Sequence, residues 1–140
     1  MEQEATPHVQ GITLLRDQLL PKLLKEDEES ILYWAGKELA RSYDFSSVED
    51  ILQTMEEVSF GTVEMVEKKR SSYRFHLFGS VVTSRLNGNK NATFDLETGF
   101  LAQAVQQVSQ VYSEGTYRLI KKGSRIEILI QTDRKESLTE

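Results

Sequence analysis

The segment from Asp95 to Tyr112 constrains the fold of this chain more than any other. Apolar side chains recur there at the spacing of one helix face and predict a long helix: Phe100, Leu101, Ala104, Val105, Val108 and Val111. Gly99 lies inside this helix, although an interior glycine costs about 1 kcal/mol relative to alanine. We therefore expect a neighbouring backbone, an aromatic ring or a ligand to approach the helix closely at Gly99.

Length and composition describe a soluble globular chain. With 140 residues it can bury one hydrophobic core, and we predict a single domain over residues 1–132 and a polar tail over residues 133–140. The absence of cysteine excludes disulfides, thiolate-bound metals and thiol nucleophiles. A formal net charge of −5 argues against non-specific binding of nucleic acid, which depends on a basic face.

The start of the chain has neither a basic leader nor an apolar stretch. No segment reaches the roughly 18 consecutive apolar residues of a membrane span. We therefore expect a cytoplasmic protein with no membrane span.

Three helices are predicted in the first part of the chain. Residues 12–24 carry apolar side chains at helical spacing, and Pro21 predicts either a kink near Leu20 or a helix that stops there. A second helix, over residues 27–43, begins with acidic side chains, which suit a helix amino terminus. Ser46 fits the first position of a capping box and predicts the start of a third helix.

The second of these helices has two apolar faces. The larger side chains form the stripe Ile31, Ala35 and Leu39, and the smaller ones the stripe Tyr33, Gly36 and Ala40. A helix with two apolar faces is expected to be covered on both. The second cover is either another helix of the same chain or the partner helix of a dimer, because small residues let two backbones approach closely. The sequence leaves both alternatives open, and we predict the dimer contact at Gly36 and Ala40.

Alternating apolar residues in the second half of the chain indicate strands. One pair lies at residues 62–66 and 73–78, and a second pair at residues 115–121 and 125–132, joined through Lys121-Lys122-Gly123-Ser124. The apolar faces of these strands need helices to cover them. We predict an α+β fold in which N-terminal helices and a long crossover helix pack on a four-stranded antiparallel sheet.

Residues that carry chemistry are sparse. The two histidines, His8 and His76, are too few and too dispersed for a metal site, and we interpret His76 as a half-packed strand residue. Asp95 and Glu97 are two positions apart and point to different faces of a helix, so they are poor candidates for a paired acid and base. We expect no catalytic residue, no metal and no cofactor, and an enzyme is the least favoured class.

Three segments carry a family resemblance. They are Tyr33-Trp-Ala-Gly-Lys-Glu-Leu-Ala-Arg41, Phe94-Asp-Leu-Glu-Thr-Gly-Phe-Leu-Ala-Gln103 and the closing hairpin around Lys122-Gly123. In these segments the chain resembles the YslB-like family of small bacterial proteins. More distantly, the order of its elements is similar to the vinyl-reductase type of small-molecule binding domain and to subunits of the TRAPP vesicle-tethering complex. The resemblance implies a fold that encloses an apolar ligand and often dimerises through its N-terminal helices, and fold alone does not transfer function.

Two functions from different classes fit these observations. The first is a non-enzymatic interaction protein that forms a homodimer through its N-terminal helices. The alternative is a binding module that holds a small hydrophobic ligand between helices and sheet, near Trp34, Gly36, Phe75, Glu97 and Gly99. Apolar residues at such spacings are more often plain core, so the interaction protein needs fewer assumptions.

Overall fold

The computed structural model describes residues 7–120 and 124–137. The first half is helical, with α1 (Pro7–Leu14), α2 (Leu20–Leu24), α3 (Glu28–Ala40) and α4 (Val48–Glu57). A π-helical segment (Leu15–Leu19) joins α1 to α2, and a 3-10 turn (Lys25–Asp27) joins α2 to α3. The second half contains β1 (Thr62–Lys68), β2 (Ser72–Phe78), α5 (Ser80–Gly88), α6 (Asp95–Ser109), β3 (Val111–Ile120) and β4 (Arg125–Ser137).

The four strands form one antiparallel sheet in the order β1-β2-β4-β3. Its central strands bury alternate side chains in the core: Tyr73, Phe75, Leu77, Ile126, Ile128 and Ile130. Helix α6 packs on β3 and β4, and α3 packs on α6. The predicted α+β fold, with helices packed on a four-stranded antiparallel sheet, is confirmed.

Helix α6 is the centre of the domain. Every residue from Glu97 to Val105 is buried, as expected for a helix covered on all sides. The helix ends earlier than predicted, because Gln110 adopts a left-handed conformation (φ 61°) and its N–H donates to the carbonyl oxygen of Gln106 at 2.9 Å. Tyr112 therefore lies in β3, where an aromatic residue is favoured.

Pro21 does not stop the first helical run. Leu20 keeps helical dihedral angles (φ −61°, ψ −42°), and Pro21 lies in the first turn of α2, where its missing N–H costs little. The N–H of Leu20 donates to the carbonyl oxygen of Leu15, five residues back. The irregularity predicted near Leu20 is thus a π-helical turn, and the chain continues as a helix to Leu24.

The cap of α4 lies one residue later than predicted. Ser47 is the N-cap, and its hydroxyl oxygen accepts the N–H of Asp50 at 3.2 Å. The Asp50 carboxylate in turn accepts the N–H of Ser46 at 3.3 Å. The two contacts resemble a capping box, except that the Asp50 carboxylate accepts the N–H of the residue before the N-cap.

The last strand extends beyond its predicted end. It continues to Ser137, which pairs with Val111, so residues 133–137 form strand where a polar tail was expected. The predicted turn residues Lys121, Lys122 and Gly123, and the end of the tail, lie outside the described residues. No helix in the described ranges combines the length and the apolar character needed to cross a membrane.

Candidate functional site

Helices α3 and α6 touch through their backbones. A β-carbon built on Gly99 would lie 2.0 Å from the carbonyl oxygen of Tyr33, and one built on Gly36 would lie 2.1 Å from the carbonyl oxygen of Leu96. Each glycine therefore makes room for the opposite helix. The close approach predicted at Gly99 is confirmed, and the approaching group is the backbone of Tyr33.

The small-residue face of α3 belongs to the core of its own domain. Leu32, Gly36 and Ala40 are buried, and α6 covers the face on which they lie. The expectation that Gly36 and Ala40 form a dimer contact is wrong, because the backbone of α6 already occupies that space. Of the two alternatives left open by the sequence, another helix of the same chain covers this face.

The second apolar face of α3 is exposed. It consists of Ile31, Trp34 and Leu39, which we call the outer face of α3, and the Trp34 side chain is 60% exposed. Ala35 lies between them and is half-buried. Residues 7–24, the N-terminal arm, add a row of exposed leucines at Leu15, Leu19 and Leu23. Exposed large apolar side chains that share one helix face make the outer face of α3 a candidate interaction surface.

A buried network of four charged side chains holds the N-terminal arm to the domain. Arg16 donates to both carboxylate oxygens of Glu97, at 2.7 and 2.9 Å. Arg85 binds Asp17 at 2.9 and 3.0 Å and lies 3.3 Å from Glu97. It also donates to the carbonyl oxygen of Thr93 at 2.6 Å. The network joins the π-helical segment to α5 and α6.

The charges of this network balance. Burial raises the pKa of Glu97, but Arg16 and Arg85 lower it by a larger amount. The net shift is therefore downward, and Glu97 stays ionised. Burial lowers the pKa of Arg16, and Glu97 more than compensates. Buried ion pairs add little net stability and fix geometry instead. We interpret the network as the element that orients the N-terminal arm.

A second polar cluster joins α3 to β3. Tyr33 and Lys37 both donate to the Glu114 carboxylate, Lys37 at 2.8 Å, and the Tyr33 hydroxyl accepts the N–H of Gly115 at 2.9 Å. Burial raises the pKa of Glu114, but the hydrogen bonds from Lys37, Tyr112 and Tyr33 together lower it by more, so the net shift is downward. Burial and the bond to Glu114 raise the pKa of Tyr33. The cluster fixes the position of α3 over the sheet.

An open acidic groove of about 450 Å³ lies beside this cluster. Its lining includes Glu26, Glu29, Tyr33, Asp95 and Glu114. Burial, and then the negative charge of Glu29, raise the pKa of Asp95 to about 6. Ionised carboxylates at this density repel anionic ligands.

The structure places the five residues predicted to line a ligand site in four different environments. Trp34 lies on the surface, and Gly36 and Gly99 form the contact between α3 and α6. Phe75 is fully buried on β2 within the packed core. Glu97 belongs to the buried ion network.

His76 lies on the face of the sheet opposite the core. Its Nε2 is 3.5 Å from the Glu127 carboxylate, which also contacts Arg74 and Arg118. The hydrogen bond from Arg118, together with the nearby cations, lowers the pKa of Glu127. Within the part of the chain that the structure describes, no three acidic or histidine side chains converge in a way that could hold a metal ion.

Comparison with known proteins supports the family resemblance. The protein YslB of Bacillus subtilis (strain 168), itself described as uncharacterized, is 32% identical over 123 residues, which cover 88% of this chain and 83% of YslB. A vinyl-4-reductase family protein from Methanocaldococcus jannaschii superposes with a TM-score of 0.56 at 14% identity, over 95% of this chain and 84% of that one.

A third similar protein is a trafficking protein particle complex subunit 3 from Naegleria fowleri, whose structure has palmitic acid covalently bound. Its TM-score is 0.60 at 14% identity, over 95% of this chain and 98% of that one. At such identities the two structural similarities establish the fold alone. A family described as a protein of unknown function, DUF2507, matches residues 9–131. Given that match and the identity to YslB, this chain belongs to the DUF2507 family.

Proposed function

We propose that this protein is a non-enzymatic interaction protein that forms a homodimer through its N-terminal helices. The observation that carries the proposal is the exposed outer face of α3, formed by Ile31, Trp34 and Leu39. Exposed large apolar side chains that share one helix face are typical of a protein–protein contact. The contact differs from the one predicted at Gly36 and Ala40, because it uses the opposite apolar stripe of the same helix.

A second copy of the chain fits this face by symmetry. A two-fold axis beside Ala35 would pair two α3 helices in antiparallel orientation and place Ile31 against the partner's Leu39. Residues 27–29 at the start of α3 are acidic, whereas Arg41 follows its end. The antiparallel pairing brings these opposite charges, and the opposite ends of the two helix dipoles, toward each other. This charge complementarity favours a second copy as the occupant.

Sedimentation velocity of the native protein and of an Ile31→Lys/Leu39→Lys variant tests the proposal. We expect a native dimer at tens of micromolar and a folded monomer for the variant, because two lysines would be desolvated in the contact. The matched control is Val58→Lys/Val66→Lys, which adds the same charge at residues of similar exposure on other surfaces. This control should remain dimeric. A monomeric native protein, or a dimer that both variants retain, would contradict the proposal.

A binding module for a small hydrophobic ligand is the second candidate. The similarity to a subunit that carries covalently bound palmitic acid favours it. A ligand between α6 and the sheet would have to displace Phe75, Phe94 and Phe100, which are buried there. Native mass spectrometry of freshly purified protein separates the candidates, because a retained apolar adduct supports ligand binding and a bare dimer supports the interaction protein. The cytoplasmic location and the absence of a nucleic-acid partner stay predictions.

A further inference from the structure

Side chains from the helices block the first half of the edge strand β3 from pairing with another strand. Strand β3 lies at one edge of the sheet. The N–H of Ser113 donates to the Gln106 side chain at 3.1 Å, and the N–H of Gly115 donates to the Tyr33 hydroxyl at 2.9 Å. Both groups therefore point away from β4, and side chains of α6 and α3 block this part of the edge from pairing with another strand.

The other half of the strand is open. The pairing of β3 with β4 is regular from Tyr112 to Ile120, so the backbone groups of every second residue point outward. After Ser113 and Gly115, the next outward residues are Tyr117 and Leu119. Among the described residues, no hydrogen bond reaches the backbone N–H or C=O of either one.

At the opposite edge of the sheet, a β-bulge in β1 interferes with the pairing of another strand. Strand β1 has a register shift between Met65 and Glu67, which is a β-bulge at Val66. Bulges interrupt the regular row of donors and acceptors that a new strand needs. Among the described strands, the segment Thr116–Ile120 is thus the edge best suited to accept another strand.

The surroundings of this open edge indicate which side chains a partner needs. On the helix side, a groove of about 240 Å³ is lined by Leu86, Lys90, Leu119 and Ser124. On the opposite face of the sheet, the Arg118 side chain is 71% exposed and shares the Glu127 carboxylate with Arg74, so two arginines face one carboxylate there. We propose that Thr116–Ile120 binds an extended peptide as an added β-strand, with apolar side chains toward the groove and acidic side chains toward Arg118. The site is independent of the outer face of α3.

A second copy of this chain fits the edge poorly. The two-fold pairing that uses the outward groups of both Tyr117 and Leu119 places Arg118 directly opposite its own copy. Like charges at directly opposed positions destabilise a strand pair. A peptide with glutamate at that position would instead form an ion pair across the strands.

The test uses two synthetic probes, a blocked hexapeptide of alternating valine and glutamate and the same peptide with lysine in place of glutamate. Nuclear magnetic resonance of the native protein should show the Tyr117 and Leu119 amides protected from exchange by the glutamate probe only. The absence of any such protection at about 1 millimolar probe, a concentration that detects very weak binding, would overturn the proposal.

A pair of variants at Leu119 separates the contribution of its backbone N–H to peptide binding from that of its side chain. Leu119→Pro removes an N–H that points away from β4, so the sheet keeps its ladder and the added strand loses a partner. We expect the glutamate probe to bind at least about tenfold more weakly to Leu119→Pro than to Leu119→Ala, because the alanine variant retains the N–H. Equal binding by both variants would overturn the proposal. If the proline variant fails to fold, the amide protection in the native protein decides.

Discussion

The carbonyl oxygen of Tyr33 lies 2.0 Å from the place where a β-carbon of Gly99 would stand. No rotamer change relieves such a contact, because the backbone fixes the position of a β-carbon and the carbonyl oxygen belongs to the backbone itself. Gly36 makes the reciprocal contact with Leu96 at 2.1 Å. The distance between α3 and α6 therefore depends on the absence of two β-carbons, and α3 presents its other apolar face to the exterior as a result.

Replacing Gly99 tests this contact. We expect Gly99→Ala to lower the free energy of unfolding by about 3 kcal/mol, because the helices must separate to admit the methyl group. Gly11→Ala is the control, since a β-carbon there meets nothing within 4 Å. It should raise stability by at most about 1 kcal/mol through helix propensity. Urea unfolding measures both, and equal midpoints for native and Gly99→Ala would show that the contact is not tight.

The buried ion network predicts a large cost for removing one charge. Glu97→Gln leaves Arg16 and Arg85 with a single carboxylate between them, and we expect a loss of about 3 to 5 kcal/mol. Glu64→Gln is the matched control, because Glu64 forms an exposed ion pair with Arg125 at 3.5 Å. The control should change stability by less than about 1 kcal/mol. A small loss for Glu97→Gln would mean that water reaches the arginines.

Asp95 predicts a pH dependence of stability. Its pKa is raised from 3.8 to about 6 in the folded chain, first by burial and then by Glu29. A carboxyl with a raised folded pKa disfavours folding once it ionises, so this cost is absent below the unfolded pKa and complete above about pH 6. Tyr117, Glu28 and Glu97 are the other titratable groups that act on it.

We expect Asp95→Asn to raise the free energy of unfolding by about 1 kcal/mol near pH 8, a value reduced for screening because Asp95 is partly exposed. The gain should become small near pH 3.5, where the Asp95 carboxyl is protonated in the folded state and mostly protonated in the unfolded state. Urea unfolding at the two pH values measures it, with Glu56→Gln on the exposed side of α4 as the control. A gain of equal size at both pH values would assign the effect to packing.

Local patterns in the sequence account for most of the fold. Apolar periodicity predicted α3, α6 and the strand pairs because burial selects side chains at regular spacing. The same periodicity predicted the ends of the helices less accurately. Gln110 ends α6 through a left-handed backbone conformation, and Ser47 competes with Ser46 as the cap of α4. Neighbouring residues of similar type decide such ends, and the spacing of apolar residues does not resolve them.

The sequence predicted the candidate site less well than it predicted the fold. The partners of the ion network, Arg16 with Glu97 and Asp17 with Arg85, are 81 and 68 positions apart. The one local signal was a charged pair, Arg16 and Asp17, within an apolar helical pattern. On α3 the sequence predicted both apolar stripes but assigned the dimer contact to Gly36 and Ala40, which the structure buries within the domain. The depth of the contact at Gly36 depends on a glycine of another helix, which periodicity within α3 does not report.

The most direct test of the proposed dimer uses Trp34, the one tryptophan of this chain, which lies on the outer face of α3 and is 60% exposed in a single copy. Its fluorescence is measured from tens of micromolar down to tens of nanomolar, with acrylamide as quencher. We predict blue-shifted emission and weak quenching at high concentration, and a shift to the emission of a solvated indole on dilution. The Ile31→Lys/Leu39→Lys variant should show solvated emission throughout. Native emission that stays solvated and fully quenchable at every concentration would contradict the proposal that this face is the dimer interface.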